Sequence, residues 1–296
     1  MRTAIIILFF TFLFIPALFA QVNLKEKEKE LKIAGDSILK GSSDSVRSLS
    51  ALLFRANFED LLHDPASFNY AFDSLKNVSV LLSGDKKVRI YTWILPSISK
   101  DKYTYFGFVQ LYDKKLNKVT LFNLEDTILP TEEAEKKSLT AKNWYGALYY
   151  KIIENKLKGA KIYTLLGWRG NNRQTTIKVI DVLVLNKEIP KFGVPVFKTE
   201  KGFKHRIIFE YTSQAVMSLR YNEKKKMIVF DHLSPSNPDL KGKYEYYGPD
   251  MTYDAFKFKS GKWNFLKNIE IGNASEYDVK TQNPKAKPKE FYTPPK

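Results

Sequence analysis

The sequence predicts a mainly β protein with minor α content: an antiparallel β-sandwich or partly open barrel preceded by a short helical region. Three observations carry that prediction. The chain holds 21 Phe, 17 Tyr and 4 Trp among 296 residues, side chains that suit a half-buried pleated surface. Its hydrophobic period changes from about 3.6 to 2 near residue 78. Beyond that point the apolar runs are separated by connections too short to hold a crossover, which makes their neighbours antiparallel.

The elements follow in chain order. Residues 1–20 read as a signal peptide: Arg2 is the positive start, Ala4 to Phe14 is apolar apart from Thr11, and Pro16 ends the run ahead of a cleavage position after Ala20. The run is shorter than the about 20 residues a spanning helix needs, so the mature chain is expected to lack a transmembrane segment. Residues 21–76 form the helical region. Leu24, Leu31 and Ile38 recur every seven positions, and Glu28 and Lys32 are spaced to pair at i,i+4. Gly41-Ser42-Ser43 breaks this helix and Ser43 caps a second, on which Val46, Leu49, Leu53 and Ala56 form one apolar face. Asp64-Pro65 then opens a third helical segment with Phe68, Phe72 and Leu75 on a stripe.

Residues 77–273 make the antiparallel β body. Val88 to Leu95, Tyr103 to Tyr112 and Val119 to Leu124 carry apolar groups on both faces, which predicts a sheet covered on each side. Residues 130–142 are a polar break with a helical turn opening at Thr131. The stretch 144–153 fits helix or strand spacing, and its aromatics and Gly146 favour strand. Lys161 to Trp168 and Thr175 to Leu185 are strands joined through Arg169-Gly170-Asn171-Asn172. Lys204 to Tyr211, Ala215 to Tyr221 and Met227 to His232 follow as near neighbours. Ser260-Gly261 is a two-residue turn that sets Phe258 opposite Trp263 and Phe256 opposite Phe265. Residues 274–296, rich in Pro and Lys, read as a basic extended tail.

Composition narrows the compartment and the partners. There is no cysteine, so disulfides and a lipid-modified cysteine after the leader are both excluded. Together with the leader this favours export to a bacterial periplasm or the exterior. The formal net charge is +16, with only eight arginines against forty lysines. Arginine makes the forked contacts that recognise phosphate, while lysine is a solvated point charge. The excess therefore reads first as a solubilising surface and second as attraction to an anionic polymer or lipid head group. Nucleic acid is not an expected partner of an exported chain without a recognition motif.

No catalytic signature is present: neither Gly-x-Ser-x-Gly, nor His-Glu-x-x-His, nor a phosphate-binding glycine loop occurs. No cofactor and no metal are expected, because His63, His205 and His232 sit in separate elements. Two constellations remain. Asp231 and His232 end a strand, and Tyr247, Asp250 and Asp254 come soon after. Carboxylates beside an imidazole suit acid–base work, with Asp231, His232 and Asp250 as the catalytic candidates. Aspartate is equally the residue that caps turns. The second constellation is Trp168, Arg169, Asn171 and Asn172 at a hairpin tip, a surface for a sugar or peptide, or simply a turn with Trp168 packed inward.

The strings WYGALYYKII, YTLLGWRGNN, RIIFEY, IVFDHLSP and YYGPDMTYDAF resemble a group of uncharacterised exported proteins of Gram-negative bacteria, over roughly residues 78–272. The resemblance implies the compartment and no activity. The expected function is a non-catalytic binding or envelope-associated β protein whose partner is an envelope protein or polysaccharide. The alternatives are a hydrolase or lyase at the Asp/His cluster, and a basic binder of polyanions or membrane surfaces.

Overall fold

A computed structural model describes residues 24–99 and 101–270. The leader, its cleavage position and the 274–296 tail lie outside the described residues. Helices α1 (24–40) and α2 (Asp44–Leu62) come first, followed by a 3-10 turn, Pro65–Asn69. Strands β1 (Ser79–Leu82), β2 (Val88–Pro96), β3 (Tyr103–Asp113) and β4 (Lys118–Glu125) form a first antiparallel meander. After a short helix α3 (Thr131–Ala134) come β5 (Leu139–Thr140), β6 (Leu148–Leu157), β7 (Ala160–Gly170), β8 (Thr175–Asn186) and β9 (Ile189–Phe192). They form a second sheet in the order β5-β9-β8-β7-β6. The third sheet uses β10 (Phe197–Thr199), β11 (Gly202–Lys204), β13 (Leu219–Asn222), β14 (Met227–Pro235), β15 (Tyr247–Lys259) and β16 (Lys262–Leu266). Its order is β11-β10-β16-β15-β14-β13, and β12 (Ile207–Thr212) joins the second sheet on β8. None of the three sheets closes on itself among the described residues, so the sandwich form of the prediction is the one adopted.

The two-sided apolar pattern explains the layering. On β2, Tyr91 and Trp93 face the helices, packing with Phe54, Phe58 and Leu31, while Val88, Ile90 and Ile94 face Tyr149, Leu165 and Val179 of the second sheet. The second sheet repeats the device: Ile162, Leu166, Ile180 and Val182 turn away to meet Ile228, Phe230, Phe256 and Trp263 of the third. Hydrogen-bonded polar groups cross these interfaces, although Trp93 Nε1 is buried without a partner among the described residues. Trp263 Nε1 donates to Thr164 Oγ1 at 3.0 Å, and Tyr149 N–H, at a bulge in β6, donates to Thr92 Oγ1 at 3.1 Å. Unpaired, each would cost a few kcal/mol in so apolar a setting.

Several local expectations hold. Ser43 caps α2 by accepting from Val46 N–H, and Asp64 accepts from Ala66 N–H ahead of Pro65. Leu24, Leu31 and Ile38 are buried as one stripe. Phe258 pairs with Trp263 and Phe256 with Phe265 across a turn whose Ser260 and Gly261 have φ of 53° and 75°.

Others are corrected. The apolar face assigned to α2 is its outer face: Leu49 is 60% and Leu53 53% exposed. Ala51, Phe54, Phe58, Leu61 and Leu62 are buried instead, because two rings that meet Trp93 and Tyr91 edge-on remove more area from water than a Val/Leu/Ala stripe. Glu28 does not pair with Lys32. It is buried and accepts from Tyr70 Oη and Ser74 N–H, both at 2.7 Å, while Lys32 pairs with Asp36. Phe72 and Leu75 are buried outside any helix, since the chain leaves the 3-10 turn at Tyr70. The 144–153 stretch is strand only from Leu148. β12 pairs with β8 and not with its chain neighbour, so a short connection here moves the chain between sheets.

Replacing Gly261 tests the turn. A valine there meets a left-handed φ of 75° and a methyl of Leu157 3.3 Å from its Cβ, a strain of about 1–3 kcal/mol. Gly261→Val is expected to lower the melting temperature by roughly 3–10 °C, and Gly261→Asn, which tolerates this φ, by much less. Equal melting temperatures for both variants and the parent would contradict the turn.

Candidate functional site

The third sheet carries a concave site of about 310 Å³. Its floor is aromatic. Phe230 on β14, Phe256 on β15 and Phe265 on β16 are pinned by the cross-strand register, and Phe209 arrives from β12 to meet Phe230 at 4.7 Å between ring centroids. Ile207 and Leu233 complete the apolar lining, and Glu200, Lys201 and Lys204 close one side from the β10–β11 hairpin.

The polar rim holds Asp231, His232 and Asp254. A break in the β14–β15 register places them. Asp231 pairs with Tyr253 and Leu233 with Pro249, so the chain from Asp250 to Thr252 loops out opposite His232, with Met251 at φ 71°. Such bulges re-aim a side chain out of the pleat. Here His232 Nδ1 comes within 2.7 Å of Asp254 Oδ2. A carboxylate only accepts, so this contact sets the ring proton on Nδ1 and leaves Nε2 without a partner among the described residues. Asp254 is buried, and its other oxygen accepts from Asn268 N–H at 3.0 Å.

The remaining candidates have other duties. Asp231 accepts from Ser218 N–H at 2.7 Å, and burial raises its pKa despite that bond and the charge of Arg220. Asp250 does not line the site. Its Oδ1 accepts from Thr252 N–H and hydroxyl, and although burial works the other way these bonds and the charge of His232 hold the carboxyl below the usual range. Of the catalytic candidates Asp231, His232 and Asp250, the first two line the site, and the carboxylate that meets the imidazole is that of Asp254. Tyr247 also stays outside, with its Oη accepting from Gly242 N–H at 3.0 Å.

The hairpin constellation dissolves as a surface site. Arg169 is buried between the rings of Tyr105 and Tyr145, 4.7 and 4.8 Å from their centroids, and pairs with Asp126 at 2.8 Å. Burial alone would lower its pKa, but Asp126 outweighs it and the net shift is upward. Gly146 makes the approach possible: its carbonyl accepts from Arg169 Nη1, and a Cβ there would lie 2.4 Å from Asp126 Oδ1. Trp168 packs edge-on against Tyr103. Asn171 bonds Thr175 and Glu210, and Asn172 Oδ1 accepts from Gln174 and Thr175 N–H groups as a turn former. Arg169 and Gly170 belong to β7, and the connection is 171–174.

The sequence reading missed the phenylalanine floor as a site, although the β15–β16 register already put Phe256 and Phe265 together. It missed Lys201 and Lys204 altogether, because nothing local brings β10–β11 to β16. Among the described residues no group of three His, Asp or Glu side chains is placed to hold a metal ion, and no helix is long and apolar enough to cross a membrane. No protein-family model, curated protein or solved structure matches the chain.

Phe209 pairs across the sheet with Lys178, whose ammonium lies 4.9 Å from the Tyr150 ring centroid. Burial pushes Lys178 down from 10.5 to about 8. Between these values the unfolded chain binds more protons than the folded one, so stability rises with pH, and below about 8 the penalty is complete. Lys178→Met is expected to be more stable than the parent at pH 7, by at most about 3 kcal/mol. The advantage should shrink to nothing above pH 10.5. Melting temperatures of both proteins across that range check this, and a difference that does not change with pH would contradict it.

Proposed function

We propose that this chain is an exported, non-catalytic binding protein of the periplasm or exterior, and that the site on the third sheet receives a small amphipathic ligand. Export rests on the apolar leader and the cysteine-free composition. Binding rests on one observation: an aromatic floor of four phenylalanines lies beneath a rim that carries His232 Nε2, Lys201 and Glu200. An apolar ring or chain would sit on the floor, with a polar head at His232.

The His232–Asp254 contact favours a second reading, in which the imidazole acts as a general base on a bound water. Binding is preferred because the floor is apolar and the lining offers no free hydroxyl for a covalent route. Thr199 is its single hydroxyl-bearing residue, and that oxygen donates to Gly202 carbonyl at 2.8 Å.

Fluorescence titration separates the parts of the site. The anionic probe 1-anilinonaphthalene-8-sulfonate and the neutral N-phenyl-1-naphthylamine are each expected to saturate one site. Phe265→Ser should weaken both at least tenfold, and His232→Gln only the sulfonate, by roughly three- to tenfold. Unsaturable binding, or variants that bind as the parent does, would refute the reading. Turnover of a small ester panel that His232→Gln abolishes would establish the second reading instead. Export is checked separately by the mass of protein recovered from the periplasm of an expressing bacterium, which should begin at Gln21.

A further inference from the structure

A second concavity, of about 1170 Å³, lies where hairpin turns of the first and second sheets converge. The β1–β2 turn brings Lys86 and Lys87, and the β3–β4 turn brings Lys114, Lys115 and Lys118. All are exposed. None of them forms an ion pair among the described residues, whereas Lys161 nearby binds both Asp85 and Glu154.

The acidic residues of the groove do not neutralise it. Asp85 is spent on Lys161, 2.8 Å away, and on the Tyr163 hydroxyl at 3.0 Å. Asp113 folds its own turn by accepting from Lys115 and Leu116 N–H groups. Glu188, from the β8–β9 turn, and Asp113, which keeps its charge, are two carboxylates against five ammonium groups, so the lining stays positive. Gathering like charges is unfavourable for folding. A cluster of unpaired lysines kept at one groove against that cost points to a purpose.

The ligand class follows from shape and chemistry. The groove exceeds the usual small-molecule pocket of about 300–1,000 Å³, so it suits a length of chain. A concave wall favours a strand over a flat lipid surface. Lysines without arginine suit point-charge pairing with carboxylate or sulfate better than forked phosphate recognition. Tyr112, held by stacking on Phe68 at 4.8 Å, supplies a rigid aromatic wall of the kind sugar rings pack against.

We propose that this groove binds an acidic polysaccharide, its carboxylates or sulfates seated on Lys86, Lys87, Lys114, Lys115 and Lys118. The site shares no residue with the phenylalanine-floored one and stands independently of it.

The test uses the full mature chain with polygalacturonate and heparin oligosaccharides, titrated calorimetrically at low and physiological salt. At least one polymer is expected to bind, with affinity falling as salt rises. The triple variant Lys114→Gln, Lys115→Gln, Lys118→Gln should lose at least tenfold. A control with the same charge loss at the β13–β14 turn, Lys224→Gln, Lys225→Gln, Lys226→Gln, should stay within twofold. Equal losses in the two triples would show general charge attraction and overturn the site, as would binding of neither polymer. Capture by phosphatidylglycerol vesicles with no affinity for either polymer would overturn the ligand class.

Discussion

A charge stands in the middle of this molecule. Asp181 on β8 is fully buried, and so is Arg206, whose Nε lies 3.2 Å from Asp181 Oδ2. Tyr149 Oη donates to the same carboxylate oxygen and accepts from Trp144 Nε1 at 3.0 Å, while Arg206 Nη1 donates to the carbonyls of Ala134 and Lys137. Removing one member of such a pair costs about 3–5 kcal/mol, because the survivor is stranded in apolar surroundings. Arg206 immediately precedes β12, so the pair holds the chain at the point where Ile207 and Phe209 are delivered to the phenylalanine-floored concavity. It also ties α3 to the second sheet. Gly193 is part of the same arrangement, since a Cβ on it would lie 2.6 Å from Arg206 Nη2.

From that anchor the site is assembled by register. The Ser260-Gly261 turn sets Phe256 beside Phe265, Trp263 locks the hairpin to the second sheet through Thr164, and the parallel pairing of β10 with β16 brings the Lys201–Lys204 segment across. The outlooping of Asp250 to Thr252 then turns His232 onto Asp254. The strands beneath the floor share buried faces. At the rim, His232 keeps a side chain 34% exposed while Asp254 holds its ring.

The legible parts of the fold were those governed by neighbours in sequence. The caps at Ser43 and Asp64 need only a side-chain oxygen and an N–H two or three residues on. The β15–β16 hairpin needs only its turn and its alternation. The face of α2 was misread because both of its faces are apolar, and the choice falls to whichever fits Trp93 and Phe108. Arg169 was misread because a hairpin tip and a buried cation look alike until Asp126, 43 residues away, is seen to meet it. In the site, Asp231 and His232 were found and Asp254 was noted, but the bulge that chooses Asp254 over Asp250 as the partner of His232 has no signature in the sequence.

The chain by itself determined the change from helical to strand period, the antiparallel hairpins and the apolar content on both faces of β2, because each depends on side-chain spacing within a few residues. Tertiary structure alone decided which apolar face each helix and strand buries, where β12 docks, and which carboxylate meets which cation. Those outcomes depend on groups tens of residues apart competing for the same buried space and the same charge, and no local pattern records who wins.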